Sequence, residues 1–268
     1  MYLADYHTHS TCSDDGHNTM TEMAAAGVAA RLDEICLTDH IDIVNWLGVP
    51  ATGHDWQPAR KQFAAAREQL GGRIKIQLGA ELGQATENLA LADQILDEAP
   101  PLDFVIGSLH NLTWENGRKD FCTLEQSDEA FAGKAIGEYL TEMQALADWG
   151  RFSVIGHFTL PLRYFNENLG MHMTFAGFEE QIAEIFKTII PKGIGIELNT
   201  NRGKTPLPDR EILKLYRDLG GEVITLGSDA HTPNFVGCVI PDRQKLLRDC
   251  GFSYFVTYEG LKPIYHKL

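Results

Sequence analysis

Seven short apolar runs, at residues 2–6, 34–37, 74–78, 104–106, 152–155, 194–198 and 223–226, are separated by longer stretches with apolar residues at helical spacing. This alternation constrains the fold more than any other feature, because strand and helix in turn build a parallel sheet covered by helices. The helical stretches fall at 20–32, 58–70, 87–98, 127–149, 175–190 and 209–219. Thr19, Thr86 and Ser127 stand where N-caps are expected, and Gly71, Gly150 and Gly220 where helices should stop. Such a sheet is either doubly wound or closed into a barrel. No G-x-G-x-x-G follows the first run, and no Pro/Gly/Ser-rich linker divides the 268 residues. The expected architecture is therefore a single-domain α/β barrel over residues 1–268. Residues 253–258 fit either an eighth strand or a terminal ribbon.

Polar residues gather where the apolar runs end. The first runs into His7-Thr8-His9, the second into Asp39-His40, the third into Glu81, the fourth into His110, the fifth into His157 and the seventh into Asp229-Ala230-His231. In a parallel barrel these ends share one rim, where active sites of such barrels lie. Residues i and i+2 of a strand point the same way, so His7 and His9 can chelate together, as can Asp229 and His231. Imidazole and carboxylate suit Zn²⁺, Mn²⁺ and Fe²⁺, and eight candidates (His7, His9, His40, Glu81, His110, His157, Asp229, His231) exceed what one four-coordinate ion can use. Two or more ions are expected. His54 and His266 lie outside this pattern and read as solvated, while His172 has no assignable place.

Charge and cysteine content narrow the partners. The formal net charge is −14, so no general field draws in nucleic acid, and an anionic substrate must be attracted locally. Five scattered cysteines without a C-x-x-C pair fit neither a disulfide framework nor a zinc ribbon, and no signal peptide or membrane span is evident. A cytoplasmic protein is expected.

The ordered set Asp5-Tyr6-His7-Thr8-His9-Ser10, Thr38-Asp39-His40, Glu81, Gly107-Ser108-Leu109-His110, Gly156-His157 and Gly227-Ser228-Asp229-Ala230-His231 resembles the PHP (polymerase and histidinol phosphatase) superfamily of metal-dependent phosphoesterases. Gly156-His157-Phe158 with Arg163-Tyr164, and Glu197-Leu198-Asn199-Thr200 with Arg202, look most like its histidinol-phosphate phosphatase branch. The resemblance implies a distorted, TIM-like (β/α)7 barrel with up to three divalent ions. One ion would be held by His7, His9, Glu81 and Asp229, and a second by a bridging Glu81 with His110 and His157. The third would take Asp15, His40 and His231, with Asp14 and His17 as alternatives to Asp15.

This family resemblance implies hydrolysis of a small phosphomonoester, with L-histidinol phosphate first. Water bridging two divalent cations loses its proton near neutral pH and can attack phosphorus in line. Glu81, Asp229 and His17 are the candidate catalytic residues. Arg163 and Arg202, in loops after the fifth and sixth strands, match a phosphate in fork geometry. His17 could donate a proton to the leaving group, bind phosphate, or be a loop residue only. Another phosphomonoester, a nucleotide or a phosphodiester is the alternative substrate, and a non-catalytic metal-binding module is the alternative of another class. An amidohydrolase would usually carry a lysine ligand at a later strand end, and none of these ends has one. Oligomeric state is left open.

Overall fold

The computed structural model describes all of residues 1–268. The chain runs β1 (Ala4–Asp5), α1 (Met20–Ala29), β2 (Glu34–Leu37), β3 (His40–Asp42), α2 (Gln57–Leu70), β4 (Lys75–Gly83), α3 (Leu89–Asp97), β5 (Phe104–Ser108), α4 (Glu129–Trp149) and β6 (Val154–Ile155). It continues with α5 (Leu160–Leu162), a π-helical turn (Arg163–Asn168), α6 (Glu179–Ile189), β7 (Gly195–Asn199), α7 (Arg210–Asp218), β8 (Ile224–Gly227), α8 (Ile240–Asp249), β9 (Tyr254–Glu259) and β10 (Lys262–Lys267).

Strands pair in parallel in the order β1-β2-β4-β5-β6-β7-β8, and β3 continues the place of β2 beside β4. The seam between β1 and β8 closes through the Thr8–Ala230 bridge, with the Tyr6 N–H donating to Leu226 O (2.8 Å) and the Asp229 N–H to His7 O (2.8 Å). The result is a seven-stranded (β/α)7 barrel. One continuous apolar cluster fills it and the layer beneath the helices, from Ala4 to Tyr258, so the chain has a single core.

Local chemistry explains most boundaries. Thr19 caps α1 in a full capping box with Glu22. Two expected caps shift along the chain: Asn88, not Thr86, accepts the Leu91 N–H, and Asp128, not Ser127, accepts the Phe131 N–H. In both cases the neighbouring residue has the extended or irregular backbone that lets its side chain fold back on the first turn. No helix is long and apolar enough to cross a membrane.

The C-terminal run is a ribbon. β9 and β10 form an antiparallel hairpin outside the barrel sheet, and it closes the N-terminal mouth. The Tyr258 N–H donates to Tyr6 Oη (2.8 Å), Gln77 donates to Tyr258 O (2.8 Å), and the Tyr258 hydroxyl donates to Ser153 O (3.3 Å). His266 is part of this ribbon: its ring stacks on Tyr2 at 4.0 Å and meets Thr257 Oγ1 at 2.8 Å. The expectation of a solvated His266 is corrected accordingly.

Candidate metal centre

Parallel pairing brings the C-terminal strand ends to one rim, and register sets their neighbours. His40 on β3 lies opposite Glu81 on β4, which in turn lies opposite Ile106 on β5, two residues before Ser108 and the turn to His110. Loops are pinned by buried carboxylates beneath the rim. Asp5 accepts from the Ser228 N–H (2.8 Å), the Ser228 hydroxyl (2.6 Å) and the Gly237 N–H (2.7 Å), fixing the turn that presents Asp229. Burial pushes the Asp5 carboxyl up to about 6 despite these donors. Asp39 accepts from the Ser10 N–H and both the Ser10 and Ser13 hydroxyls, tying down the loop that carries Asp15. That loop folds so tightly that a Cβ on Gly16 would lie 1.7 Å from Ser10 O, so only glycine fits.

Glu81 is the centre of the rim and is fully buried. Its Oε1 lies 2.9 Å from His157 Nε2 and 3.1 Å from His110 Nε2, while Oε2 lies 3.0 Å from His7 Nε2, 3.5 Å from His9 Nε2 and 2.8 Å from His40 Nδ1. Asp229 Oδ1 is 3.4 Å from His9 Nε2 and 3.7 Å from His7 Nε2. His231 Nε2 lies 3.0 Å from Asp15 Oδ2 and 3.4 Å from His40 Nε2. His110 and His157 also face each other through Nε2, at 3.4 Å.

The separations of 3.4 Å between His9 and Asp229, His231 and His40, and His110 and His157 suit shared ligation better than hydrogen bonds. Two donors on one tetrahedral ion, each about 2.1 Å from it, sit roughly 3.4 Å apart. At 3.4 Å an N–H···N contact between two imidazoles is long for a hydrogen bond, and a cation shared by the two nitrogens accounts for their convergence. His9 Nε2 is buried without a hydrogen-bond partner, a costly state for a polar atom. The donor set thus fits divalent ions, in the groups His7-His9-Asp229, His7-Glu81-His157 and His9-His40-His231, with His40-Asp42-His110 also clustered.

Electrostatics agree. Burial would raise the Glu81 carboxyl, yet His7, His40 and His110 hold it well below the usual range. Asp229 is likewise held low against burial by Arg163 and His7. Burial lowers His9, reinforced by the neighbouring His40 and His231 rings. Four non-glycine residues around the cavity over the rim, His157, Asn201, Arg202 and Asp229, carry positive φ (22°, 47°, 52° and 57°), a backbone cost that clusters at functional sites.

A cavity of about 910 Å³ opens over the rim and is lined by the expected Asp15, His40, His110, His157, Asp229 and His231. His17 is exposed at the same cavity and bonds to none of the cluster. Arg163 is less free than the sequence suggests: it donates to Asp229 Oδ2 (2.9 Å), Asn201 Oδ1 (2.9 Å) and Asn199 Oδ1 (3.2 Å). The π-helical turn holds Arg163, Tyr164, Glu167 and Asn168 at the cavity wall together. Arg202 also lines the cavity, its guanidinium 5.2 Å over the Phe235 ring. His54, expected to be solvated, sits at the cavity edge against Trp56. His172 is exposed and is not among the residues lining the cavity. Sequence reasoning assigned no role to Glu197 or Asp42, although a lone acid inside the apolar run 194–198 was a visible signal for the first.

The histidinol-phosphatase of Lactococcus lactis subsp. lactis (strain IL1403) is 26% identical over 270 residues, 98% of this chain and 96% of that protein. A probable phosphatase of Thermoanaerobacter sp. (strain X514) is 33% identical over 258 residues, 94% of this chain and 87% of that protein. The crystal structure of the L. lactis histidinol phosphate phosphatase, complexed with zinc, L-histidinol and phosphate, aligns with a TM-score of 0.82 at 24% identity over 98% of both chains, which shows a shared fold. Residues 5–201, from the first strand to the loop after β7, match the family model described as PHP domain. The chain belongs to the PHP domain family.

Proposed function

We propose that this chain is a divalent-metal-dependent phosphomonoesterase that converts L-histidinol phosphate to L-histidinol and phosphate. The observation that carries the reading is Glu81, whose two oxygens face separate histidine groups, His110 and His157 on one side and His7, His9 and His40 on the other. A buried carboxylate so placed suits sharing between two ions. The alcohol comes from the relatives, of which the L. lactis protein is named a histidinol-phosphatase and was solved with zinc, L-histidinol and phosphate.

In this reading His7, His9, Glu81 and Asp229 hold one ion, Glu81, His110 and His157 a second, and Asp15, His40 and His231 a third. When bound, zinc, manganese or iron ions bring the pKa of a water toward neutrality and offset charge on phosphoryl oxygens. Asp229 couples this centre to Arg163, which presents the cavity with a guanidinium already oriented by two asparagines. Arg202 offers a second guanidinium from the loop after β7. His17, exposed at the cavity, can turn toward the ester oxygen to protonate it or toward a phosphoryl oxygen to bind it. A net charge of −14 supports a small substrate over nucleic acid, and five unpaired cysteines support a cytoplasmic setting.

The test is phosphate release across L-histidinol phosphate, sugar phosphates, nucleotides and phosphodiesters, with Zn²⁺ or Mn²⁺ supplied. L-histidinol phosphate should give the highest kcat/KM, and activity should vanish on chelation. Turnover of a diester with none of any monoester would replace the assignment.

A further inference from the structure

Glu197 lies in the middle of β7, buried beneath the rim and outside every ligand group described above. Its carboxylate has three polar neighbours. Oε1 faces His7 Nδ1 at 2.7 Å, and Oε2 accepts from the His157 N–H at 2.6 Å and from Asn199 Nδ2 at 3.2 Å. The same Asn199 receives Arg163 Nη2 through its carbonyl oxygen. Glycine makes room for the acid: a Cβ on Gly227 would lie 2.0 Å from Glu197 Oε1 and 2.4 Å from the His7 Cβ.

An imidazole can ligate a metal through Nε2 only if that nitrogen carries no proton, and a carboxylate on Nδ1 keeps the proton there. The His157 backbone sits at φ 22°, a conformation a non-glycine residue holds only when its surroundings enforce it. We propose that Glu197 is the positioning residue of the centre: it sets the His7 tautomer, clamps the strained His157 backbone and, through Asn199, orients Arg163. One carboxylate then aligns a ligand on each side of Glu81 together with the phosphate-facing arginine. This rests on the metal-dependent reading above but needs no statement about the substrate.

The decisive variant is Glu197→Gln, which keeps the volume but has only one acceptor oxygen. If the amide oxygen faces His7, the amide NH₂ meets the His157 N–H. If it faces His157, the NH₂ meets His7 Nδ1 and drives the proton to Nε2. Either orientation spoils one ligand. Zinc affinity, measured by competition with a chromogenic chelator, should fall about 10- to 100-fold for one or two ions. The metal-free protein should stay folded, its melting temperature lowered by on the order of a few °C because one buried donor loses its acceptor. Wild-type zinc affinity at every site in a folded Glu197→Gln protein would overturn the proposal.

A second measurement needs no variant. In the zinc-loaded wild-type protein, long-range ¹H–¹⁵N spectra of the histidines should show His7 protonated at Nδ1 and metal-bound at Nε2. A His7 ring lacking the Nδ1 proton would equally overturn it. Absence of zinc binding by the wild-type chain would instead defeat the metal-dependent reading itself, so the two failures are distinguishable.

Discussion

Replacing Glu81 by alanine removes the carboxylate that lies within 3.5 Å of five imidazoles. Turnover and metal content should fall together, by at least one ion per chain on elemental analysis, whereas His231→Ala should deplete only the ion shared with His40 and Asp15. Arg163→Ala should separate the two properties. Metals stay bound, and kcat/KM drops roughly 10- to 150-fold, the equivalent of about 1.5–3 kcal/mol for a charge-assisted contact. Lysine at 163 should recover part of that loss, since it restores charge without the three-way hold on Asp229, Asn199 and Asn201. Wild-type kinetics in the alanine variant would remove Arg163 from the phosphate's reach. Such single-residue expectations were largely readable in advance. His7, His9, His40, Glu81, His110, His157, Asp229 and His231 all end apolar runs, and strand geometry alone brings them to one rim. Residues that act one step removed were visible only as positions: Glu197, Asp39 and Asn199 stand in the sequence motifs, but their roles emerge only when register places them beside a ligand or a loop.

At the scale of elements, periodicity found all seven barrel strands because each is a short apolar run between helices. β3 escaped because its three residues His-Ile-Asp carry no apolar pattern and pair only as an extension beside β4. The turn 163–168 escaped because a π-helical segment has no period of its own to detect. On α4, Glu142 feels the like charges of Glu87, Glu115 and Glu138 and the opposing charge of Arg118. Burial first, then these neighbours, raises its carboxyl from 4.5 to about 7. The folded state therefore binds a proton that the unfolded state has released, and this lowers stability progressively as pH rises from about 4.5 to 7. Glu142→Gln removes the penalty. At pH 8 the variant should gain on the order of 1 kcal/mol, after allowance for solvent screening, or about 2–4 °C in Tm. At pH 4 the gain should disappear. An equal gain at both pH values, read by thermal melts, would contradict the titration account.

The whole molecule divides its labour between the two ends of the barrel. At the lower mouth the β9–β10 ribbon contributes packing, hydrogen bonds and the Glu259–Lys75 ion pair but no rim side chain, so Tyr258→Ala, which empties a buried site beside Phe104 and Tyr6, should cost about 3–5 kcal/mol. Zinc affinity and kcat should remain close to wild type below the lowered Tm. At the upper rim the ions themselves should stabilise the fold, because they bind the assembled donors and not the unfolded chain. A free concentration a thousandfold above Kd corresponds to about 4 kcal/mol. Chelation should remove the ion beside Asp15 first, since that side chain is 60% exposed while Glu81 is buried. Anomalous diffraction at the zinc edge, from crystals grown with zinc, reads whether Glu81 is shared between ions on its two sides. The account predicts two or three peaks, one between Glu81 and the His7–His9–Asp229 group and another between Glu81 and the His110–His157 pair. A single peak, or peaks that leave both Glu81 oxygens unligated, would contradict it.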